Sequence, residues 1–292
     1  MRVTVRVPAT SANLGPGFDA FGLALDLCND VRADTDATPG VAWEGEGAAE
    51  LPTDGTDMVS RTVASVAERM QLDVPAFSLH AVNRIPLERG LGSSSAAAVA
   101  GVVLASCLLD LGIHRDASSV FALAAQIEGH PDNAGAAVFG GFTIAMPEGS
   151  VRCLRPHPDL RPVVLVPDVR LATDRARRAL PATVARDDAV FNAAHAALMT
   201  IALTQDPTLL PLAIEDRVHQ SVRLDLVPDV RDVFEAIRAA NIAVCVSGAG
   251  PSLLAFERDE VPFPDEGELG LDGTWRVLRL RARERGPELI DD

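Results

Sequence analysis

The 292-residue sequence contains no lysine and no tyrosine, so all 26 of its basic residues are arginines. Without lysine, the chain cannot carry a Walker A phosphate loop, which ends in Gly-Lys-Ser/Thr. Acidic residues number 41 and give a formal net charge of −15 at pH 7. Because a surface of this charge repels nucleic acid and anionic membranes, we expect neither as a partner.

The excess of acidic residues also makes the chain repel itself, and salt weakens this repulsion by screening it. At molar ionic strength the screening length is about 3 Å. The composition therefore predicts a protein from a salt-rich cytoplasm, such as that of a halophilic archaeon, that needs high KCl to fold and act. A GC-rich genome is a partial alternative cause for the preference for arginine over lysine.

Cysteine is scarce, and the sequence has no C-x-x-C pair and no zinc-ligand spacing. This favours free thiols in a reducing compartment over disulfides or a structural metal. The N-terminal segment alternates polar and apolar residues like a half-buried strand and lacks the layout of a signal peptide. The longest apolar run, near residues 96–111, is too short and too rich in alanine and serine to span a bilayer. We therefore expect a soluble, cytoplasmic protein.

Strand-like and helix-like segments follow one another without an internal repeat. Strands are predicted at Val3–Val7, Val41–Glu46, Phe77–Val82, Ala137–Ala145, Val163–Val166, Ala243–Val246 and Trp275–Arg281. Helices are predicted at Met58–Met70, Ala96–Leu111, Ser118–Ile127, Thr173–Leu180, Val190–Leu203, Leu209–Glu215 and Val230–Ala240. This pattern favours an α+β fold in two lobes over a regular βαβ array. A proline-rich stretch, Pro156–Pro167, marks the boundary, so we place the lobes at residues 1–155 and 156–292.

The segment Pro-Leu-Glu-Arg-Gly-Leu-Gly-Ser-Ser-Ser-Ala, residues 86–96, places two glycines and three serines directly before a long apolar helix. A glycine-rich turn that opens a helix points unpaired backbone N–H groups outward at the positive end of the helix dipole. Such a turn binds anions, usually phosphate, and the alternative is an ordinary serine-capped loop. Because the chain lacks lysine, backbone amides would do most of the binding. Ser94 would then be free to bind Mg²⁺ together with a carboxylate from elsewhere.

Further polar clusters could carry chemistry. The cluster Glu128–Asn133 offers a carboxylate for a metal and a histidine or asparagine for a substrate, or it is a polar turn that ends a helix. The loop Thr10–Asp19 follows the first strand, where sites often lie, or it is an ordinary turn. Arg177 and Arg223 are candidate ligands for a carboxylate, or surface partners of Asp and Glu. A Ser-His-Asp site is disfavoured, since no serine lies in a Gly-x-Ser-x-Gly elbow.

Together, three of these loops resemble the motifs of the GHMP kinases, a family named for galactokinase, homoserine kinase, mevalonate kinase and phosphomevalonate kinase. Pro8–Asp19 resembles the first motif, Pro86–Ala96 the second and Ser247–Ser252 the third, in the family's order and over most of the chain. The first motif, Glu128–Asn133 and His219–Arg223 have the form typical of the homoserine kinase branch. The resemblance implies an N-terminal lobe like ribosomal protein S5 domain 2 and a ferredoxin-like C-terminal lobe.

The resemblance also implies a phosphotransferase that uses ATP and Mg²⁺ to phosphorylate the side-chain hydroxyl of L-homoserine in threonine biosynthesis. A homodimer is possible by family analogy alone. Two alternatives stay open: another small-molecule kinase of the family, acting on shikimate or mevalonate, and a non-catalytic member. Asp19 with two arginines favours an amino acid substrate, because shikimate and mevalonate carry no ammonium group. The intact motif glycines, with Ser94 and Glu128, favour an active enzyme.

Carried over residue by residue, the resemblance assigns roles to specific positions. The ATP phosphates would be bound by Pro86, Leu87, Glu88, Arg89, Gly90, Leu91, Gly92, Ser93, Ser94, Ser95 and Ala96. Mg²⁺ would be held by Ser94 and Glu128. The amino group and hydroxyl end of the substrate would contact Asn13, Asp19 and His130. The substrate carboxylate would be bound by Arg177 and Arg223, and the pocket would be lined by Thr173 and Gly248.

Asn133 stands where some relatives have an aspartate that is proposed as the base, and an amide cannot accept a proton. We therefore expect direct phosphoryl transfer, with Asn133 orienting the substrate hydroxyl and the proton leaving to solvent or phosphate. The chain departs from the family pattern at three places. Arg89 stands where lysine is frequent, Asp57 where the adenine loop usually has asparagine, and Ser95 where alanine is commoner.

Overall fold

The computed structural model describes residues 1–258, 261–265, 267–271 and 273–290. Strands in these ranges are β1 (Arg2–Ala12), β2 (Phe21–Asp34), β3 (Gly40–Gly45), β4 (Ser78–Asn83), β5 (Phe142–Ala145), β6 (Val151–Leu154), β7 (Arg161–Pro167), β8 (Ala243–Val246), β9 (Leu253–Glu257), β10 (Trp275–Arg279) and β11 (Glu288–Ile290). Helices are α1 (Met58–Met70), α2 (Ser93–Leu108), α3 (Ala117–Glu128), α4 (Pro131–Phe139), α5 (Thr173–Arg178), α6 (Arg186–Thr204), α7 (Leu210–Ala213), α8 (Gln220–Asp225) and α9 (Pro228–Ala239). None of these helices is long and apolar enough to cross a membrane.

The larger sheet has the strand order β11-β1-β2-β4-β3, and β5 extends β2 on one side and carries β6. Its centre is the antiparallel pair β1–β2, which runs from Arg2 opposite Asp34 to Ala12 opposite Gly22. The register of this pair shifts between Pro8 and Ala9, next to a residue that cannot donate a ladder hydrogen bond. Beyond the shift, β1 leads directly into the first glycine-containing loop.

Helix α2 lies on this sheet and is buried along most of its length. It is apolar on all sides because it packs against β1 as well as α1, α3 and α4. Gly101 allows α1 to approach closely, since a Cβ there would lie 2.5 Å from the Cβ of Thr62. The N-terminus of α2 is thereby fixed at the end of β1.

The smaller sheet is antiparallel, with the order β10-β7-β9-β8. Its core joins inward-facing strand residues such as Leu165 and Leu253 to Phe234 and Ile237 of α9. Two sheets with helices packed on each agree with the α+β class predicted from the sequence.

The stretch after β10 returns to the larger sheet. Arg281 and Arg283 exchange backbone hydrogen bonds with Ala24 and Asp26 of β2, and β11 then pairs with β1. The larger sheet therefore contains residues from both predicted lobes, and the division at residues 155 and 156 stays a prediction.

Several predicted elements are confirmed at or near their bounds, among them α1 and β8. The predicted strand Ala137–Ala145 is wrong in its first part. Pro131 begins helix α4, which continues to Phe139, and the strand starts only at Phe142, after two glycines with φ near +70°.

Strand β2 was not predicted, because polar residues interrupt its apolar pattern. Asp30 pairs with Arg6 and Arg84, and Asn29 accepts hydrogen bonds from the backbone of Arg84 and Ile85. These partners satisfy polar groups that would otherwise disfavour a buried strand.

Candidate active site

The residues predicted for the site come from distant segments of the chain, and nearly all of them line one cavity of about 140 Å³. We call it the substrate cavity, after the ligand that the sequence predicts for it, and it is lined by Asn13, Asp19, Pro86, Glu88, Arg89, Gly90, Leu91, Gly92, Ser93, Ser94, Ser95, Glu128, His130, Asp132, Asn133, Thr173, Arg177, Arg223, Gly248 and Ala249. Of the predicted site residues, only Leu87 and Ala96 lie outside it, and both line the neighbouring cavity. The set therefore converges in space, while the role of each residue stays a prediction.

The predicted phosphate loop ends at the N-terminus of α2. Gly92 is the N-cap residue, with φ +67°, and the first amide bonded to it is that of Ala96, 2.9 Å from the Gly92 carbonyl. The amides of Ser93, Ser94 and Ser95 have no acceptor among the described residues. Such a group of free N–H donors at a helix start fits an anion.

The serines of this loop differ in exposure. Ser94 is exposed to the cavity, whereas Ser95 is almost completely buried. Of the two hydroxyls, that of Ser94 is therefore the one that a bound group can reach.

The two glycines of the loop allow it to contact the other two predicted motifs. A Cβ on Gly90 would lie 2.1 Å from the carbonyl oxygen of Ser247, and a Cβ on Gly92 would lie 1.9 Å from Oγ1 of Thr10. Ser247 Oγ donates to the Gly90 carbonyl at 2.7 Å. The three loops are therefore packed directly on one another, and neither glycine can be replaced without moving a neighbour.

Arg89 is a positioning residue in this arrangement. Its Nε donates to the carbonyl of Pro167 at 2.8 Å, and its two terminal nitrogens donate to the carbonyls of Leu87 and Asp168 at 3.2 and 2.6 Å. Burial of the guanidinium lowers its pKa. These contacts hold the phosphate loop against the end of β7, so the cation predicted to face phosphate is engaged by the protein itself.

Glu128 and His130 form a pair at the end of α3. His130 Nδ1 lies 2.9 Å from Glu128 Oε1, and the His130 amide donates to Oε2 at 2.9 Å. This hydrogen bond raises the pKa of His130 in spite of burial. The Glu128 side chain is 5% exposed, so an ion at this carboxylate would compete with His130.

Asp132 lines the site but was not predicted. An aspartate next to glycine, proline and asparagine is also expected in an ordinary turn, so it was not assigned a role. It is buried, lines the cavity and accepts a hydrogen bond from the amide of Asn133 at 2.8 Å. Burial raises its pKa to about 6. Only its place in the Glu128–Asn133 cluster could have indicated it.

Asn133 is oriented from β1. The Thr10 hydroxyl donates to Asn133 Oδ1 at 2.8 Å, and Asn133 Nδ2 makes only a long contact of 3.4 Å with Asp132. The amide oxygen is thus engaged, and the NH₂ group is the part left to donate to a ligand.

Asp19 and Arg177, which also line the cavity, form an ion pair that joins the two predicted lobes. The two Arg177 nitrogens lie 3.0 and 3.3 Å from the Asp19 oxygens, and both side chains are partly exposed. The groups predicted to bind opposite charges of the substrate therefore form an ion pair with each other.

Asn13 is buried beside this ion pair and connects Asp19 to Gly248. Its Oδ1 accepts from the amide of Asp19 at 2.9 Å, and its Nδ2 donates to the carbonyl of Gly248 at 2.8 Å. The predicted contact of Asn13 with the substrate stays a prediction, since both ends of its amide have partners. Thr173 lines the cavity from the first position of α5.

Arg223 is a buried cation at the base of the cavity. It is 2% exposed, donates to the Gly248 carbonyl at 2.7 Å and to His219 Nδ1 at 3.0 Å, and its buried Nε has no partner among the described residues. Burial lowers the pKa of Arg223 to about 10 and that of His219 to about 4. Neutral His219 therefore holds a guanidinium that still has donors for a carboxylate.

A second cavity of about 370 Å³ adjoins the first and shares Glu88, Ser93 and Ser94 with it. We call it the nucleoside cavity, because it contains Asp57 of the predicted adenine loop. Its walls are mostly apolar and include Val31, Trp43, Leu51, Met58, Val59, Leu87, Ala96 and Ala97. Asp57 is the N-cap residue of α1 here, and its Oδ1 accepts a hydrogen bond from the amide of Ser60 at 2.9 Å. Trp43 was not predicted, and its indole N–H is bound to the carbonyl of Pro52.

The residues predicted to hold Mg²⁺ are few but suitable. The described residues contain no group of three or more His, Cys, Asp or Glu that could bind a metal by themselves. Ser94 and Glu128 line the same cavity and supply oxygen ligands. Magnesium usually takes one or two protein oxygens and completes its shell with phosphate and water, so this pair fits.

Comparison with known sequences points to one enzyme family. The family model described as the GHMP kinases N terminal domain matches residues 57–141. A homoserine kinase from Clavibacter michiganensis is 44% identical, covering all of this chain and 95% of its own. A homoserine kinase from Streptomyces avermitilis is 42% identical over 99% of this chain and 95% of its own.

Comparison with solved structures agrees. The crystal structure of homoserine kinase from Cytophaga hutchinsonii superposes with a TM-score of 0.83 at 25% identity, covering 99% of this chain and 97% of its own. The predicted two-lobed kinase fold is thereby confirmed. The relatives named here are bacterial and do not support the archaeal source expected from the composition.

Proposed function

This chain belongs to the homoserine kinases of the GHMP kinase family, and from that premise we propose that it phosphorylates the side-chain hydroxyl of L-homoserine. The donor is ATP, and the product is O-phospho-L-homoserine for threonine biosynthesis. The observation that carries the choice of substrate is the pairing of Asp19 with Arg177 in a cavity that Arg223 also lines. Homoserine has one ammonium and one carboxylate group, whereas mevalonate and shikimate have no ammonium.

Binding of homoserine would replace the Asp19–Arg177 pair with two intermolecular pairs. The ammonium takes the place of Arg177 at Asp19, and the carboxylate takes the place of Asp19 at Arg177. Arg223 would supply a second positive charge to the same carboxylate, because its side chain lines the same cavity. Asp132 adds a second carboxylate near the ammonium, and a cation there would keep it ionised.

The ATP phosphates would lie against the free amides of Ser93, Ser94 and Ser95, with the base and ribose in the nucleoside cavity. Ser94 and Glu128 would hold Mg²⁺, which when bound would neutralise charge on the phosphate oxygens. His130 would release part of its hold on Glu128 in that state.

Phosphoryl transfer needs positioning and charge neutralisation more than covalent chemistry. Asn133 would orient the substrate hydroxyl through its NH₂ group, since Thr10 already occupies the amide oxygen. The hydroxyl proton would leave to the phosphate or to solvent, because the Asn133 amide cannot accept it.

The test is an ADP-release assay with homoserine, mevalonate and shikimate in parallel. We expect ADP formation that depends on homoserine and needs Mg²⁺. Faster turnover of mevalonate or shikimate would overturn the choice of substrate. The absence of ADP with all three would favour a non-catalytic protein.

Salt adaptation is part of the proposal and rests on the net charge of −15. Because salt screens this charge, raising KCl from 0.1 to 2 M should raise both the thermal unfolding midpoint and the rate of ADP formation. Equal stability and activity in dilute buffer would leave a GC-rich genome as the reason for the missing lysine. The cytoplasmic location, the homodimer and the two-lobe division also remain predictions.

A further inference from the structure

The arginine that was predicted for the phosphate site, Arg89, is bound by the protein itself. Arg89 directly precedes the loop, but its guanidinium donates to the carbonyls of Leu87, Pro167 and Asp168. Glu88, which lines both cavities, brings a negative charge to the same wall. A positive side chain, in addition to the backbone amides of the loop and a metal ion, would therefore strengthen the binding of a triphosphate.

Arg170 lies where such a group is needed. It lines the nucleoside cavity together with Ser93 and Ser94, whose amides open α2. The amide of the next residue, Leu171, donates to the Glu88 carbonyl at 3.4 Å. This contact holds the segment after β7 beside the start of the phosphate loop.

The present partner of Arg170 is the carboxylate of Glu50, which also lines the nucleoside cavity. Its NH1 and NH2 donate to the two oxygens of Glu50 at 2.8 and 2.5 Å, and NH1 lies 3.9 Å from a Glu88 oxygen. Both side chains of the bidentate pair are about 40% exposed, so the pair contributes little net stability and can exchange partners. Phosphate oxygens offer a guanidinium the same two-pronged geometry.

We propose that Arg170 binds the phosphates of the nucleotide, and that Glu50 holds its guanidinium over the nucleoside cavity until the nucleotide replaces the carboxylate. This inference rests on the proposed function, because it takes ATP as the ligand of the two adjoining cavities. It adds a side chain from the second predicted lobe to a phosphate site otherwise formed by the first.

The test is calorimetric titration of the full chain with ATP and with adenosine. Arg170→Gln removes the positive charge and the two parallel N–H donors of the guanidinium. Because the side chain is partly exposed, the variant should still fold. We expect the Kd for ATP to rise about 10- to 100-fold, as for the loss of a hydrogen bond to a charged group. The Kd for adenosine should stay unchanged, because adenosine has no phosphate.

Two further variants serve as controls. Arg155→Gln removes an exposed arginine that is paired with Glu284 and lines neither of the two cavities, and ATP should bind it as it binds the parent. Glu50→Gln frees Arg170 from its competitor, so ATP should bind at least as tightly as to the parent. In steady-state assays, Arg170→Gln should raise the KM for ATP and leave the KM for homoserine unchanged.

Unchanged ATP binding by Arg170→Gln, in a parent that binds ATP, would overturn this inference and leave the proposed function intact. An equal loss of adenosine binding would also overturn it, since the residue would then shape the nucleoside cavity. A parent that binds no ATP would overturn the proposed function and this inference together.

Discussion

The two adjoining cavities differ in how their walls would recognise a ligand. The substrate cavity is small, about 140 Å³, and its walls carry charged side chains from both predicted lobes. The nucleoside cavity is larger, about 370 Å³, and most of its walls are apolar side chains of the larger sheet and of α1 and α2. The first cavity would select a ligand by its charged groups, whereas the second would select it by the shape of its apolar surface.

The difference teaches that a single loop can serve two kinds of recognition. Ser93 and Ser94 line both cavities, so a phosphate chain at their amides would reach from one into the other. Variants that change charge in the first cavity should affect homoserine, and variants that change volume in the second should affect ATP.

The largest expected effect concerns the charged substrate cavity and is a change in the free energy of unfolding. Asp132 has a pKa of about 6 in the fold, above its ordinary value of 3.8, so the folded state keeps a proton that the unfolded state loses. The destabilisation is absent below pH 3.8, grows as the pH rises to about 6, and is complete above that value. Asp132→Asn should therefore raise the free energy of unfolding by about 3 kcal/mol at pH 8 and by almost nothing at pH 3.5.

Denaturant unfolding at the two pH values provides the measurement, and the low-pH value is the internal control. An equal gain at both would mean that the carboxylate is not held in its neutral form by burial.

The next effect concerns Arg177, which we expect to bind the substrate carboxylate. Arg177→Gln should raise the KM for homoserine roughly 100-fold, since hydrogen bonds between charged groups are lost, and leave the KM for ATP unchanged. Arg178→Gln changes an exposed neighbour outside both cavities and should change neither constant. An unchanged KM for homoserine in Arg177→Gln would contradict the assignment of the substrate cavity.

A smaller effect is expected from filling the nucleoside cavity. Ala97 lines its wall from α2, so Ala97→Leu should raise the KM for ATP about 10-fold by overpacking the space for the base. The KM for homoserine should remain that of the parent. Ala122→Leu, on the exposed side of α3, is the matched control for helix composition. Loss of homoserine binding in Ala97→Leu would show that the cavities do not act separately.

The smallest expected effect is on kcat and concerns Asn133, which we expect to orient the substrate hydroxyl that accepts the phosphoryl group. Asn133→Asp keeps the acceptor for the Thr10 hydroxyl but replaces the NH₂ donor with a second negative charge beside Asp132. We expect kcat to stay equal or fall a few-fold, because direct transfer uses the amide only to orient the hydroxyl. A large gain in kcat would indicate that the parent lacks a base.

The same contrast explains what could be predicted from the sequence. The substrate cavity is formed by glycines, serines and charged residues in loops, and such residues are conspicuous where they interrupt apolar patterns. Asp19, Arg177 and Arg223 could therefore be singled out as candidates, and the resemblance to the GHMP kinases gave their expected roles before their meeting point was known. Their mutual contacts could not be predicted, because they depend on how two sheets pack.

The nucleoside cavity gave a weaker signal. Trp43 and Val31 belong to strands whose residues serve equally well as core, and only the depth of the groove between them distinguishes a site from packing. Arg170 was unremarkable for the same reason, since any arginine after a strand can pair with a surface carboxylate. Strand β2 was missed because its polar residues are satisfied by partners far away in the chain.

The pairing of β11 with β1 affects the order in which the protein can be made. Thr4, Val5 and Arg6 find their last partners only in Ile290, Leu289 and Glu288. Until those residues leave the ribosome, one edge of β1 stays open, and open strand edges invite pairing with other chains. Contacts between such distant residues also form slowly. The nascent first lobe would therefore benefit from protection during synthesis, and a fragment cut at the predicted boundary would keep its exposed edge permanently.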